Sequence, residues 1–231
     1  MSTLFINGPG QRLFRGIVLV FSFVLGCQAT WILTAELPRP SSLGFPRTAQ
    51  AAAAAFTNRN AAARAASFGL LRGDLLAEYA ITYLNLIWRD EPNTESAQAS
   101  KTVLQAREVV DHALALSPHD ARIWLVLAGI DTRFNSLNQK PATALQMSYY
   151  TGTNETELIP LRLILAVNSH ALGNEDFQQL VRHDISIIVT RKPKLEPAIL
   201  AAYRDAPLLG RQFLQDTLRQ IDPTMLEKLR K

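Results

Sequence analysis

Two His-Asp pairs are the strongest candidates in this chain for metal binding or acid–base catalysis. His119 precedes Asp120, and His183 precedes Asp184. Histidine and carboxylate side chains bind transition metals, and such pairs occur in metal-dependent phosphohydrolases. A third histidine and a distant aspartate would have to converge on the same ion. The third histidine would be His170, and the distant aspartate would be Asp205 or Asp216.

Other features of the sequence favour a protein that is not an enzyme. Asp120 lies at an expected helix start, where a carboxylate is favourable without any metal. The chain has none of the motifs CxxC, HExxH, GxSxG and GxxxxGK[ST]. We therefore expect no catalytic residue, no metal and no cofactor, and the metal-dependent hydrolase is kept as the alternative.

Charge argues against nucleic acid as a partner. The formal net charge is +4 at pH 7, and the basic residues form no stripe with interleaved aromatic side chains. Nucleic-acid-binding domains usually carry such a stripe or a strongly basic face. We expect proteins and a lipid bilayer as partners.

A run without charged residues at 16–35 predicts where the protein is located. Arg12 and Arg15 precede the run, and Glu36 follows it. As a helix, these residues would span roughly 30 Å, which is the thickness of the hydrocarbon core of a bilayer. We therefore predict a short cytoplasmic tail over 1–15 and a transmembrane helix over 16–37.

Two alternatives for this segment stay open. A cleaved secretory signal would have basic residues before an apolar core, but the core here is longer than usual. A bacterial lipoprotein would be modified on Cys27, because residues 24–27 resemble a lipobox. Leu25 departs from the residue usual at its position, and the sequence after Cys27 stays apolar.

The orientation in the membrane rests on the length of the tail. Basic residues flank the run on both sides, with Arg12 and Arg15 before it and Arg39 and Arg47 after it, so their count is a tie. The short tail favours an uncleaved signal-anchor. We expect a single-pass protein of the bacterial inner membrane with residues 38–231 exported to the periplasm.

The remainder of the chain predicts an all-α domain over 49–231, joined to the membrane helix by a Pro/Ser linker over 38–48. Alanine dominates 49–66, which predicts a helix that is either a stalk or closely packed against a neighbour. We expect Ser117 to cap one later helix, and Asn154 with Glu157 to form a capping box for another. Apolar residues at helical spacing predict helices over 74–88, 97–116, 118–130, 141–150, 154–170, 175–190, 195–204, 208–221 and 224–230.

The stretch 106–118 carries a motif with a known helical packing. Alanine, a bulky apolar residue, alanine and proline follow one another at offsets of 0, 4, 7 and 12 from residue 106. These residues are Ala106, Val110, Ala113 and Pro118. The next helix adds Trp124, Leu127 and Ala128. The pattern resembles a tetratricopeptide repeat, in which small residues let paired helices approach and proline ends the second helix. Asp131 departs from the tyrosine of that motif.

The resemblance implies a surface that binds other proteins. Such repeats present a concave face built from the first helices of the pairs. The candidate partner-binding residues are Tyr79, Tyr83, Arg122, Arg133, Asn135, Arg162 and Asn168. We therefore expect a membrane-anchored scaffold or adaptor, for example in envelope polysaccharide synthesis or export, or in secretion.

Overall fold

Helices account for all the regular secondary structure in the parts of the chain that can be described. The computed structural model describes residues 9–39, 44–69, 71–88, 97–134 and 140–230. The prediction of an all-α fold is confirmed for these ranges. The α-helices are α1 Pro9–Glu36, α2 Ala49–Thr57, α3 Arg59–Phe68, α4 Gly73–Ile81, α5 Asn85–Trp88, α6 Ala97–Leu116, α7 Ala121–Phe134, α8 Lys140–Thr151, α9 Ile159–Val167, α10 Glu175–Arg191, α11 Glu196–Asp205, α12 Leu208–Ile221 and α13 Pro223–Arg230. Short 3-10 helices cover Thr82–Leu84, His170–Gly173 and Pro193–Leu195.

Helix α1 is long and apolar enough to cross a membrane. The 24 residues of Leu13–Glu36 meet this requirement, and no other helix of the described ranges does. Apolar side chains along most of α1 are exposed, so they are not the core of the domain. Cys27 lies within this continuous helix with an exposed side chain. The cleaved-signal and lipoprotein alternatives stay predictions.

The alanine-rich region forms two packed helices, so the interpretation as a stalk is wrong. Asn58 separates α2 from α3. Ala52 and Ala62 are buried, as are Ala55 and Ala65. Because alanine side chains are short, these helices lie close to their neighbours. Helix α2 contacts α5 and the 3-10 turn at Thr82–Leu84, and α3 contacts α1 and α4.

The helices pack as successive pairs. Helix α4 contacts α6, α6 contacts α7, and α7 forms a close hairpin with α8. The first helices of the pairs also contact one another in the order α4, α7, α9 and α11. The residues of the repeat motif lie mostly inside this packing. Ala106, Val110, Ala113, Leu127 and Ala128 are buried, Trp124 is half-buried, and Pro118 is exposed.

Three predicted helix starts and ends are corrected by the structure. Helix α7 begins at Ala121, where the Asp120 carboxylate accepts a hydrogen bond from the Arg122 backbone N–H at 2.9 Å. Ser117 is not the cap, because its hydroxyl packs against Gly73. The predicted capping box is also wrong, since residues 153–158 form turns and α9 runs only over Ile159–Val167. The helix predicted over 74–88 is divided by the 3-10 turn at Thr82–Leu84.

Candidate functional site

A groove on the surface of the domain lies between α2 and α5. Its cavity of about 290 Å³ is lined by Ala49, Ala53, Phe56, Asn85 and Trp88. The two alanines are exposed and leave space where larger side chains would close it. Phe56 and Trp88 supply apolar walls. We call these five residues the α2–α5 groove.

Two buried polar atoms of the α2–α5 groove lack hydrogen bonds. Asn85 is 5% exposed, and neither its Oδ1 nor the Nε1 of Trp88 has a partner among the described residues. Leaving a buried donor or acceptor unpaired costs about 1–3 kcal/mol each. The pair consists of one acceptor and one donor, which are the groups that complement a peptide backbone. A ligand that brings its own N–H and C=O would pair with both atoms if the side chains of Asn85 and Trp88 turned toward the groove, because both atoms are closed off from solvent as they stand.

Beside the groove lie a cation and a tyrosine pair. The Arg59 guanidinium lies 4.5 Å from the centroid of the Phe56 ring and 5.7 Å from that of Tyr83. The hydroxyl groups of Tyr79 and Tyr83 are 3.0 Å apart, and the Gln105 amide donates to Tyr79 at 3.3 Å. Burial raises the pKa of Tyr83, so the Tyr83 hydroxyl is uncharged at neutral pH.

Two of the predicted partner-binding residues are wrong. Tyr83 and Arg162 are fully buried and present no side-chain surface to a partner. Apolar spacing placed both on the correct helices, but it did not show which face turns inward. Asn135 lies outside the described residues.

The other predicted residues are accessible and stay predictions. Tyr79 is half-buried and lies in the tyrosine pair beside the groove. Arg133 donates to the Ile87 carbonyl of α5 at 3.3 Å. Arg122 pairs with Asp120 at the start of α7, and Asn168 is exposed after α9. Tyr79 thus contacts Tyr83, and Arg133 contacts α5, so both lie near the groove. Among the described residues, Arg122 and Asn168 have no such contact with the groove residues.

Sequence reasoning missed the residues that line the groove. Phe56 lies in the last turn of the alanine-rich helix α2, and Asn85 and Trp88 are the first and last residues of the short helix α5. A run of alanines interrupted by one phenylalanine is compatible with a groove. The sequence does not show that α2 packs against α5, which lies almost thirty residues further along the chain.

The end of α1 is fixed to the domain by a set of polar contacts that we call the junction. The Trp31 indole donates to the Phe68 carbonyl at 2.6 Å. Arg39 pairs with Glu36 and Glu78, and Arg72 pairs with Glu36 and Asp74. Hydrogen bonds from Arg72 and Arg39 lower the pKa of Glu36, so this carboxylate stays charged. The junction contains Trp31, Glu36, Arg39, Phe68, Arg72, Asp74 and Glu78.

Part of the predicted linker over 38–48 also packs on the domain. Phe45 is 6% exposed, and Arg47 pairs with Glu157 at 3.0 Å, just before α9. Where it is described, the linker is held along the domain and is not a free tether.

The histidines do not converge within the described residues. His112, His119, His170 and His183 are all exposed. Among the residues that the structure describes, no group of three or more histidine, cysteine or acidic side chains is arranged to hold a metal ion. Asp120 pairs with Arg122, and Asp184 is buried while His183 points to solvent. The His-Asp pairs therefore do not form the site that the hydrolase alternative requires.

A second cavity, of about 440 Å³, lies among α11, α12 and α13. Two of the cations that line it already have partners. Arg211 donates to the carbonyls of Ala206 and Arg204, and Lys228 pairs with Glu196 at 2.8 Å. The α2–α5 groove is the better candidate site, because its polar atoms still lack partners.

Comparison of the chain with family models, with curated proteins and with solved structures found no significant match.

Proposed function

We propose that this protein is a membrane-anchored helical adaptor. Helix α1 holds the domain at the membrane, and the α2–α5 groove binds a peptide segment of a partner protein. The observation that carries the proposal is the pair of buried, unpartnered atoms in the groove, Asn85 Oδ1 and Trp88 Nε1. The resemblance to tetratricopeptide repeats supports the same class of function.

The groove is small. Its volume of about 290 Å³ lies at the lower limit of the roughly 300–1,000 Å³ that small-molecule sites enclose. A peptide would place one apolar side chain between Phe56 and Trp88, and its backbone would bond to Asn85 Oδ1 and Trp88 Nε1 once these two side chains turn toward the groove. Peptide recognition commonly combines backbone hydrogen bonds with an apolar pocket in this way.

The location of the domain is part of the proposal. As part of it, α1 is a signal-anchor and the domain is exported. In a bacterium, the domain would then lie in the periplasm next to the inner membrane. The partners would be proteins of an envelope assembly.

Site-specific photocrosslinking in native membranes tests the groove. A photoreactive amino acid at position 53 lies in the groove, whereas one at position 54 lies on the exposed surface of the same helix. We expect a discrete adduct from position 53, identifiable by mass spectrometry, and none from position 54. Adding Trp88→Phe removes the indole donor, keeps an apolar ring and should weaken the adduct.

Two results would contradict the role of the groove, and a third would contradict the anchor. The groove is not the binding site if positions 53 and 54 give the same adducts, or if Trp88→Phe leaves the adduct from position 53 unchanged. The membrane anchor is tested separately, because the intact chain should stay with vesicles that are washed in alkaline carbonate. Release of the chain by that wash would contradict the anchor.

A further inference from the structure

We infer that the domain makes a second contact with the bilayer through the turn between α3 and α4. The residues that make this contact are Phe68 and Leu71, which are 49% and 76% exposed. The occupant of this apolar surface would be the interfacial layer of the lipid bilayer. The inference rests on the anchoring role proposed for α1.

The contacts of the turn with α1 determine how deep the turn lies in the bilayer. Phe68 is tied by its carbonyl to the Trp31 indole at 2.6 Å, and Arg72 is tied to Glu36 through an ion pair. Trp31 and Glu36 are five residues apart, which corresponds to about 7.5 Å along a helix. Phe68 therefore lies at the level of Trp31, and Arg72 lies at the level of Glu36.

The charged residues mark the boundary of this layer. Residues 16–35 carry no charge, so a bilayer that covers them ends near Glu36. Because Phe68 lies at the level of Trp31, it lies on the lipid side of that boundary. Arg72 lies at the boundary, where its charge is paired with Glu36 and Asp74. Leu71 immediately precedes Arg72.

The surface of the turn is continuous with the exposed apolar surface of α1. Trp31 and Ile32 are 46% and 45% exposed and lie at the same level as Phe68. Aromatic side chains are enriched at the interface of bilayers because they combine an apolar ring with a polar edge. The Trp31 indole already donates to the Phe68 carbonyl, so this backbone oxygen is not left unpaired in an apolar layer.

Depth-dependent quenching in vesicles tests this contact on the full chain. The single cysteine, Cys27, allows one environment-sensitive fluorophore to be attached within α1. In a Cys27→Ser background, Leu71→Cys places the label on the turn and Leu104→Cys places it on α6. Leu104 is a matched control, because its side chain is nearly as exposed as that of Leu71, at 69%. It lies twelve residues before the end of α6, and it is this end of α6 that lies near Gly73 and the turn. Each protein is reconstituted in phosphatidylcholine and phosphatidylglycerol vesicles with spin-labelled lipids.

We expect spin-labelled lipids to remove most of the emission from the labels at positions 27 and 71, and little from the label at 104. Phe68→Cys, as a second position on the turn, should behave like position 71. Quenching at 27 with none at 71 and 68 would overturn this inference and leave the anchor intact. Quenching at 104 equal to that at 71 would also overturn it, because the contact would not be specific to the turn. A label at 27 that is not quenched would overturn both the anchor and this inference.

Discussion

Arg162 shows at the scale of a single residue how a buried charge holds two helices together. It donates to the Ser148 hydroxyl at 3.0 Å, to the Gly152 carbonyl at 2.9 Å and to the Ser148 carbonyl. Its guanidinium also lies 4.9 Å from the centroid of the Tyr149 ring. Burial lowers the pKa of Arg162, and the charge of Asp184 opposes that change. Arg162 therefore joins α9 to the end of α8 and to the residue that follows it.

Replacing Arg162 by an apolar residue of similar length should destabilise the domain strongly. Arg162→Met leaves the Ser148 and Gly152 carbonyls without this donor and removes the cation near Asp184. Breaking a buried charged contact costs about 3–5 kcal/mol. The measurement is chemical denaturation in detergent micelles, followed by circular dichroism. Arg219→Met is the matched control, because Arg219 pairs with Asp216 at the surface and such pairs contribute about 0–1 kcal/mol. Equal losses in the two variants would contradict this role.

Asp184 should give the free energy of unfolding a dependence on pH. Burial raises the pKa of Asp184 to about 7 from its usual 3.8, against the opposing charge of Arg162. The folded protein therefore keeps the proton more tightly than the unfolded chain. This stabilisation is complete below pH 4 and is lost as pH rises through 7, with a slope of about 1.4 kcal/mol per pH unit at most.

The measurement is the free energy of unfolding as a function of pH for the wild type and for Asp184→Asn. We expect the contribution of this residue to disappear in the variant. Asp216→Asn changes an exposed carboxylate and is the control. A wild-type profile that Asp184→Asn leaves unchanged would contradict the assignment.

At the scale of elements, the packing depends on where one helix can approach another. Gly210 of α12 lies against α9, and a Cβ at this position would lie 2.3 Å from the Val167 carbonyl oxygen. The neighbouring atom belongs to the backbone, so it cannot move aside as a flexible side chain would. The short distance between α9 and α12 therefore requires glycine at this position.

Gly210→Ala should force α12 away from α9 and destabilise the domain by about 1–3 kcal/mol. Gly173→Ala is the control, since a Cβ on Gly173 would meet nothing within 4 Å. Thermal unfolding of both variants in the same detergent measures the difference. A melting temperature that falls equally in both would show that the close approach at Gly210 is not the cause.

The sequence predicted which helices exist better than it predicted where they begin. Apolar spacing found α6 and α12 with the bounds that the structure has. It failed at α7, because Ser117 packs against Gly73 of another helix and Asp120 takes the capping role. It also could not find the α2–α5 groove, whose residues come together only after distant helices have packed. A local pattern predicts a helix, whereas caps and grooves depend on contacts between helices.

At the scale of the whole molecule, helix α1 and the domain form one connected body. Ala35 near the end of α1 is 1% exposed, and α1 contacts α3 directly. The ion pairs of the junction connect Glu36 and Arg39, after the apolar run, to α4 and to the residue before it. The domain therefore has a defined orientation relative to α1.

The double variant Arg39→Gln and Arg72→Gln should loosen that orientation without removing the anchor. Spin labels on Cys27 and on a Leu104→Cys variant report the distance between α1 and α6 by pulsed electron paramagnetic resonance. We expect a narrow distance distribution in the parent protein and a broader one in the double variant. Arg64→Gln, at an exposed position of α3, should leave the distribution narrow. A distribution of unchanged width in the double variant would contradict the role of the junction.

If α1 spans a bilayer as we propose, its connection to the domain also makes bilayer thickness a control on the height of the groove above the membrane. A membrane helix tilts when its apolar length exceeds the thickness of the hydrocarbon layer. Because the junction holds the domain to the end of α1, such a tilt would carry the domain with it. The groove would then change its height and direction above the lipid headgroups. A thinner membrane would present the α2–α5 groove to a different set of neighbours, with no change inside the domain.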